Sequence, residues 1–166
     1  GTITENGGGR IHLGALESLR RLTNMGHDVI YVTGRSSVEA YLLSVFGGTK
    51  KIAVGENGGC IALDADEHIL LGNIEECNKA FELIKNSIDG VQKKPVFPRL
   101  TEVVLERTFD MDEARKVLSE HNLDVGLSDS QYAIHINSKG IDKGTGFTER
   151  SEEHTSELQS PDHSYA

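Results

Sequence analysis

At 166 residues the chain is long enough for one ordinary domain, or for a small core carrying a small insert. Its net charge is −9 and its lysines and arginines are scattered, which argues against a nucleic-acid partner, since that needs clustered positive charge. No window is apolar for long enough to span a bilayer and nothing at the N-terminus resembles a signal peptide, so a cytoplasmic protein with neither membrane nor nucleic-acid partner is expected.

Residues Gly1 to Arg10 form a glycine-rich opening without an apolar run. Leu13 to Met25 carries Leu16, Leu19 and Leu22 at helical spacing and stops at Gly26. Val29 to Val32 is a short β-branched run that reads as a buried strand. Ser36 to Phe46 reads as a helix, opened by a Ser36-x-x-Glu39 capping box and closed by Gly47 and Gly48. Lys51 to Val54 is a second buried-type strand. Helices alternating with short apolar strands imply a parallel sheet with crossover helices. A helix such as Leu13 to Met25 normally follows a strand, and none precedes it, so a truncated N-terminus is expected.

The pattern changes after Val54. Cys60 to Leu63 and Ile69 to Leu71 are short apolar runs joined by Asp64-Ala65-Asp66-Glu67, which suits a hairpin. Ile74 to Ile88 is an amphipathic helix with Ile74, Cys77, Phe81, Ile84 and Ile88 on one face. Lys93 to Arg99 holds two prolines and suits a loop or an edge segment. Glu102 to Glu106 reads as a strand and Met111 to His121 as a helix. Asp124 to Leu127 and Tyr132 to Ile136 read as a hairpin turning at Ser128-Asp129-Ser130. Ile74 to Ile136 is thus an α+β unit distinct from what precedes it. From Arg150 the chain loses apolar periodicity, and Arg150 to Ser160 is similar to the translation of a sequencing-library adapter. A disordered, non-native tail is expected over 150–166.

Cys60 and Cys77 fall in apolar surroundings and read as small buried residues, neither a disulfide nor a metal pair. The histidines include no His-x-x-x-His pair, and His12, His27, His68, His121 and His135 read as surface or strand-end residues. No metal ligand set is visible.

Three short motifs carry chemistry. Val29 to Arg35 is a strand delivering Thr33 at its C-terminal end, the edge at which open α/β sheets bind ligands. A hydroxyl there, with nearby backbone N–H groups and a helix N-terminus, suits a phosphate oxygen. A polar strand-to-helix connection capped by Ser36 accounts for the same residues. Gly55-Glu56-Asn57-Gly58-Gly59 follows the next strand, permits close backbone approach, and is equally a turn into the hairpin. Lys143 precedes a helix start. A lone lysine is most often a solvated surface residue, but one facing a phosphate neutralises charge during phosphoryl transfer.

Together these motifs resemble the haloacid dehalogenase (HAD)-like hydrolases. Gly1-Thr2-Ile3-Thr4 is similar to the end of their Asp-x-Asp-Gly-Thr signature, Thr33-Gly34-Arg35 to the second motif and Lys143-Gly144 to the third. Gly55 to Gly59 resembles the Glu-Asn-Gly-Gly segment of one branch, the archaeal phosphoglycolate phosphatases and sucrose-phosphate-phosphatase-like enzymes. The order of the motifs, their spacing and an α+β insert between the second and third also fit.

The resemblance implies an α/β, Rossmann-like HAD core, here incomplete, with an inserted α+β cap. Residues 1–73 and 138–149 would belong to the core and 74–137 to the cap. It implies a Mg²⁺-dependent phosphatase of a small phosphorylated metabolite, acting through an aspartyl-phosphate, with 2-phosphoglycolate the first candidate substrate. Sucrose-phosphate or mannosyl-3-phosphoglycerate chemistry is the alternative, and a non-catalytic phosphate-binding domain another. By position, Thr33 and Lys143 would be catalytic, and Thr33, Gly34, Arg35, Asn57 and Lys143 would bind substrate. Arg99, His135 and Asn137 are candidates for substrate selection by the cap. The nucleophile, the acid/base aspartate and the metal carboxylates would lie in segments the chain lacks, so the fragment itself is expected to be inactive.

Overall fold

The computed structural model describes residues 2–5 and 9–159. Two short β-branched or small-residue runs, β1 (Tyr31–Val32) and β2 (Ala53–Gly55), pair in parallel, with Tyr31 opposite Ala53 and Val32 opposite Val54. Parallel neighbours need a crossover, and α2 (Ser37–Gly47) supplies it. The expected capping box starts this helix: Glu39 N–H donates to Ser36 Oγ, and Ser36 N–H donates to the Glu39 carboxylate. Gly48, at φ 70°, ends it in the left-handed conformation. Before β1 lies α1 (Leu13–Asn24), where His12 is the N-cap and accepts from Ala15 N–H. No residue of α1 is buried, which makes it the most loosely packed helix of this part of the chain.

The expected hairpin is present as β3 (Cys60–Ala62) and β4 (His68–Leu70), antiparallel to each other and continuing the sheet as β1-β2-β3-β4. Side-chain alternation divides its two faces. Tyr31 and Ala53 pack on Ala40 of α2 with Ile3, Leu19 and Leu43, whereas Val54 and Ile61 pack with Ile52, Val32 and Ile69.

The second layer pair is built on a sheet of β5 (Val103–Leu105), β6 (Val125–Asp129) and β7 (Ile134–Ser138), antiparallel in the order β5-β7-β6. It is covered by α3 (Ile74–Ser87) and α4 (Met111–Ser119). The stripe read from α3 is the one that packs: Cys77, Phe81, Ile84 and Ile88 are buried against Leu105, Ile134 and Ile136, and α4 adds Ala114 and Leu118. Burying each large side chain contributes about 1.5–3 kcal/mol. Asn73 caps α3 by accepting from Glu75 and Glu76 N–H, and Asp110 caps α4 by accepting from Asp112 and Glu113 N–H. The proline-containing segment does run along an edge, where Lys94 N–H donates to Val104 O.

Three expectations need correction. The second hairpin turns later than its sequence suggests: Ser128 and Asp129 stay in β6, Asp129 opposite Ile134, and the reversal occupies 130–133. Arg107 holds Asp129 in place at 2.8 Å, while Ser130 Oγ bonds both Ala133 N–H and Ala133 O around a left-handed Gln131. His135 is neither a surface nor a strand-end residue but lies buried inside β7. Finally, α5 (Lys143–Gln159) runs past Arg150, through nine residues expected to be disordered. The segment after Gly146 contains neither glycine nor proline before Gln159, and its Glu, Leu and Gln are good helix formers. The rest of the expected tail, 160–166, lies outside the described residues, as does Gly1.

Both cysteines are free and buried, and burial pushes each thiol up to about 11. Neither should react with a disulfide reagent at pH 8 until the protein is unfolded; release of thiol from the native chain within minutes would contradict this packing. Among the described residues, no helix is long and apolar enough to cross a membrane.

Candidate functional site

The C-terminal ends of β1 and β2 carry two loops that are bonded to each other. Thr33 N–H donates to Val54 O at 2.9 Å, extending the parallel ladder by one residue. Beyond it, Glu56 N–H donates to Arg35 O at 2.7 Å and Asn57 N–H to Thr33 O at 3.2 Å. Thr33 Oγ1 accepts from Arg35 N–H at 3.2 Å, so its own proton is available to an outside acceptor. The loops approach so closely that a Cβ on Gly34 would lie 2.6 Å from Asn57 Oδ1. Glu56 and Asn57 both hold φ at 54°, a left-handed backbone costing about 1–2 kcal/mol for each non-glycine residue. Strain of this kind persists only where the surroundings over-determine it.

Glu56 shows what determines it. Its carboxylate is fully enclosed and accepts from five donors. Ser37, at the start of α2, gives its N–H and its hydroxyl. Leu100 N–H, Thr101 N–H and Thr101 Oγ1 each donate at 2.8 Å. One side chain therefore ties the crossover helix, the β2 loop and the strand entering β5 together.

A second enclosed carboxylate sits one residue beyond Thr101. Glu102 Oε1 pairs with Arg99 Nη1 at 2.7 Å, and Oε2 accepts from Asn57 Nδ2 at 3.0 Å. His135 Nδ1 lies 3.0 Å from the same oxygen. Because a carboxylate only accepts, Nδ1 carries the proton and the Asn57 amide donates to Glu102. Arg99 Nη1 also donates to Gly34 O at 2.8 Å. The phosphate-loop candidates Gly34 and Asn57 thus reach the β5–β7 sheet through Arg99, Glu102 and His135.

Lys143 enters from the other side as the first residue of α5. Asp142 accepts from Thr145 N–H and from its hydroxyl, and together with Gly144 N–H these hold its carboxyl below the usual range. The first turn of α5 rests on the turn Glu56–Gly58: a Cβ on Gly58 would meet Asp142 O at 1.8 Å, and one on Gly146 would meet Gly58 O at 2.6 Å. The Lys143 side chain is exposed. Arg35, also exposed, pairs with Glu39 at 2.8 Å. Burial raises the Glu39 carboxyl, but hydrogen bonds from Arg35 and Ser36 outweigh it and leave the group below its ordinary value of 4.5.

Thr33, Gly34, Arg35 and Asn57 are therefore joined in one hydrogen-bonded unit, with the backbone of Lys143 packed beside Gly58. Of the three cap candidates, Arg99 and His135 reach this unit, whereas Asn137 spends its amide on Ile141 O at 3.3 Å. Sequence reasoning missed Glu56 and Glu102. An acidic residue opening the apolar run Val103 to Leu105 was the available signal for the latter. Among the described residues, no group of three His, Cys, Asp or Glu side chains could hold a metal ion.

No protein-family model matches the chain. It is 76% identical over 149 residues to the phosphoglycolate phosphatase of Nitrosopumilus maritimus, a match covering 90% of this chain and 64% of that relative. It is 30% identical over 158 residues to the phosphoglycolate phosphatase of Methanoculleus marisnigri, covering 92% and 67%. The chain thus spans about two thirds of the length of these relatives. Its fold is similar to that of a Thermoplasma acidophilum protein (TM-score 0.78, 21% identity, covering 92% of this chain and 67% of that one). It is also similar to a HAD-superfamily phosphatase of Bacteroides thetaiotaomicron (TM-score 0.67, 13% identity, covering 92% and 69%). The parallel pair and its crossover helix share the fold of that HAD-superfamily phosphatase, and by its archaeal relatives the chain belongs to the phosphoglycolate phosphatase family.

Proposed function

We propose that the whole protein is a cytoplasmic phosphatase that hydrolyses a small phosphate monoester, 2-phosphoglycolate first among them. The observation that supports it most is the convergence of the Thr33 loop, the Asn57 turn and the first turn of α5 at the C-terminal edge of a parallel strand pair. In this reading the Thr33 hydroxyl donates to a phosphate oxygen and Lys143 neutralises charge on the phosphoryl group in transfer. Gly34, Arg35 and Asn57 shape the loop that receives it. The nucleophile is the first aspartate of the motif whose end Gly1 to Thr4 resembles: its carboxylate oxygen bonds to phosphorus as the ester P–O bond breaks, and the motif's second aspartate protonates the leaving oxygen. The second aspartate then takes a proton from the water that releases phosphate from the aspartyl-phosphate. A Mg²⁺ requirement belongs to the same proposal. Among the described residues no ligand cluster for that ion is present.

The test is to complete the chain with the flanking segments of the Nitrosopumilus maritimus relative and to follow phosphate release with and without Mg²⁺. Turnover of 2-phosphoglycolate exceeding that of sucrose 6-phosphate is expected. Thr33→Ala and Lys143→Ala should each lower kcat/KM at least about tenfold. Preference for the sugar phosphate would move the substrate to that class. Phosphate binding without turnover would favour a binding domain, and unchanged turnover in both variants would remove these residues from the mechanism.

A further inference from the structure

Arg99 stands apart from the other side chains at this site. Its side chain is 9% exposed and its Nη1 is fully used, donating to Gly34 O and to Glu102. Nε, on the adjoining edge of the guanidinium, is enclosed and has no hydrogen-bond partner. Buried donors are rarely left without an acceptor, and an arginine edge of two parallel N–H groups matches the two oxygens of a carboxylate. Glu102 cannot itself serve that edge, since its oxygens are held by Nη1 on one side and by Asn57 and His135 on the other. The same contacts prevent Arg99 from swinging away. His135 is excluded as a ligand because both ring nitrogens are engaged, Nδ1 with Glu102 and Nε2 with Ser130 Oγ.

Position adds the second half of the argument. Arg99 Nη1 touches Gly34 O, in the residue after Thr33, which sets the guanidinium against the loop that carries the Thr33 hydroxyl. In a phosphorylated 2-hydroxy acid only one oxygen and one carbon separate phosphorus from the carboxyl carbon. Resting on the phosphate-site reading above, we propose that Arg99 is the specificity-determining residue of this site and binds the substrate carboxylate through its Nε edge.

The test titrates the 166-residue chain, ¹⁵N-labelled, with 2-phosphoglycolate and with ethyl phosphate, which lacks the carboxylate, reading the Thr33 and Gly34 amides. The unmodified chain should bind 2-phosphoglycolate at least about tenfold more tightly. Arg99→Lys keeps the positive charge but loses the second edge, and should abolish most of that preference while changing ethyl phosphate affinity less than about twofold. The double variant Arg99→Met/Glu102→Gln removes both charges together, avoids an unpaired buried carboxylate, and should show no preference. Equal affinity of the unmodified chain for the two ligands, or a preference that survives both variants, would overturn the assignment of Arg99 alone. Equal weakening of both ligands by Arg99→Lys would reduce it to a support for the loop and overturn the assignment too. Failure of the unmodified chain to bind either ligand would overturn the phosphate site, and this proposal with it.

Discussion

Replacing Glu56 with glutamine is expected to lower the thermal midpoint by roughly 10 °C, the largest effect of any single side chain at the site. The carboxylate accepts from five donors in an enclosed space, and three of those bonds are 2.8 Å long. An amide of the same shape keeps one acceptor oxygen but turns an NH₂ group toward N–H donors. At least two donors are then left unsatisfied at about 1–3 kcal/mol each, for a total near 4 kcal/mol. In a domain of this size each kcal/mol moves the midpoint by about 2–4 °C. Thr101→Val removes a single donor and should cost only about 1 kcal/mol. Circular dichroism melts of the two variants distinguish a clamp from an ordinary buried polar residue. A glutamine variant that melts within 2 °C of the parent would mean that the five bonds contribute little beyond what water supplies in the unfolded chain.

The second large effect is expected at Gly58. Its φ of 103° is a conformation side chains rarely adopt, and an added Cβ would sit 1.8 Å from Asp142 O and 2.4 Å from the carbonyl carbon. Backbone, not a flexible side chain, stands in the way. Gly58→Ala therefore has to push the first turn of α5 off the Glu56–Gly58 turn, at a cost of about 3 kcal/mol in urea unfolding. Gly126, in β6, is a matched control: its Cβ would meet nothing within 4 Å, and Gly126→Ala should fall within about 0.5 kcal/mol of the parent. On the phosphatase reading proposed above, Gly58→Ala should also lower turnover of the completed chain, because the backbone of Lys143 moves with the turn. Indistinguishable unfolding curves for the two variants would contradict the close approach.

What was legible in the sequence were the features whose cause is local. The Ser36–Glu39 capping box, the apolar stripe of α3 and the hairpin across Asp64 to Glu67 each depend on residues within a few positions of one another, and all three are present. The later hairpin was misjudged because Asp129 is held in its strand by Arg107, 22 residues away. Thr33, Gly34, Arg35 and Asn57 could be singled out from motifs, but the carboxylates that hold their loops could not. Glu56 takes its partners from positions 37, 100 and 101, and Glu102 from 57, 99 and 135. Hydrophobic periodicity carries no information about polar pairings over such separations. Glu56 moreover stood inside a recognised motif, where it read as part of a glycine-rich turn.

The span of those pairings also sets an order of assembly. Residues 31–55 can form the parallel pair and its crossover as soon as they emerge during synthesis, yet Glu56 lacks the Leu100 and Thr101 donors, 44 and 45 residues later, until they follow. Gly58 waits longer still, for Asp142. At 5–20 residues per second the first gap alone lasts roughly 2–9 s. Throughout that interval the left-handed turn at Glu56 and Asn57 has no reason to hold. The nascent loops at Thr33 and Asn57 are thus an unfinished structure for seconds, and they mature only when residues 74–137 have been made and the chain has returned to them.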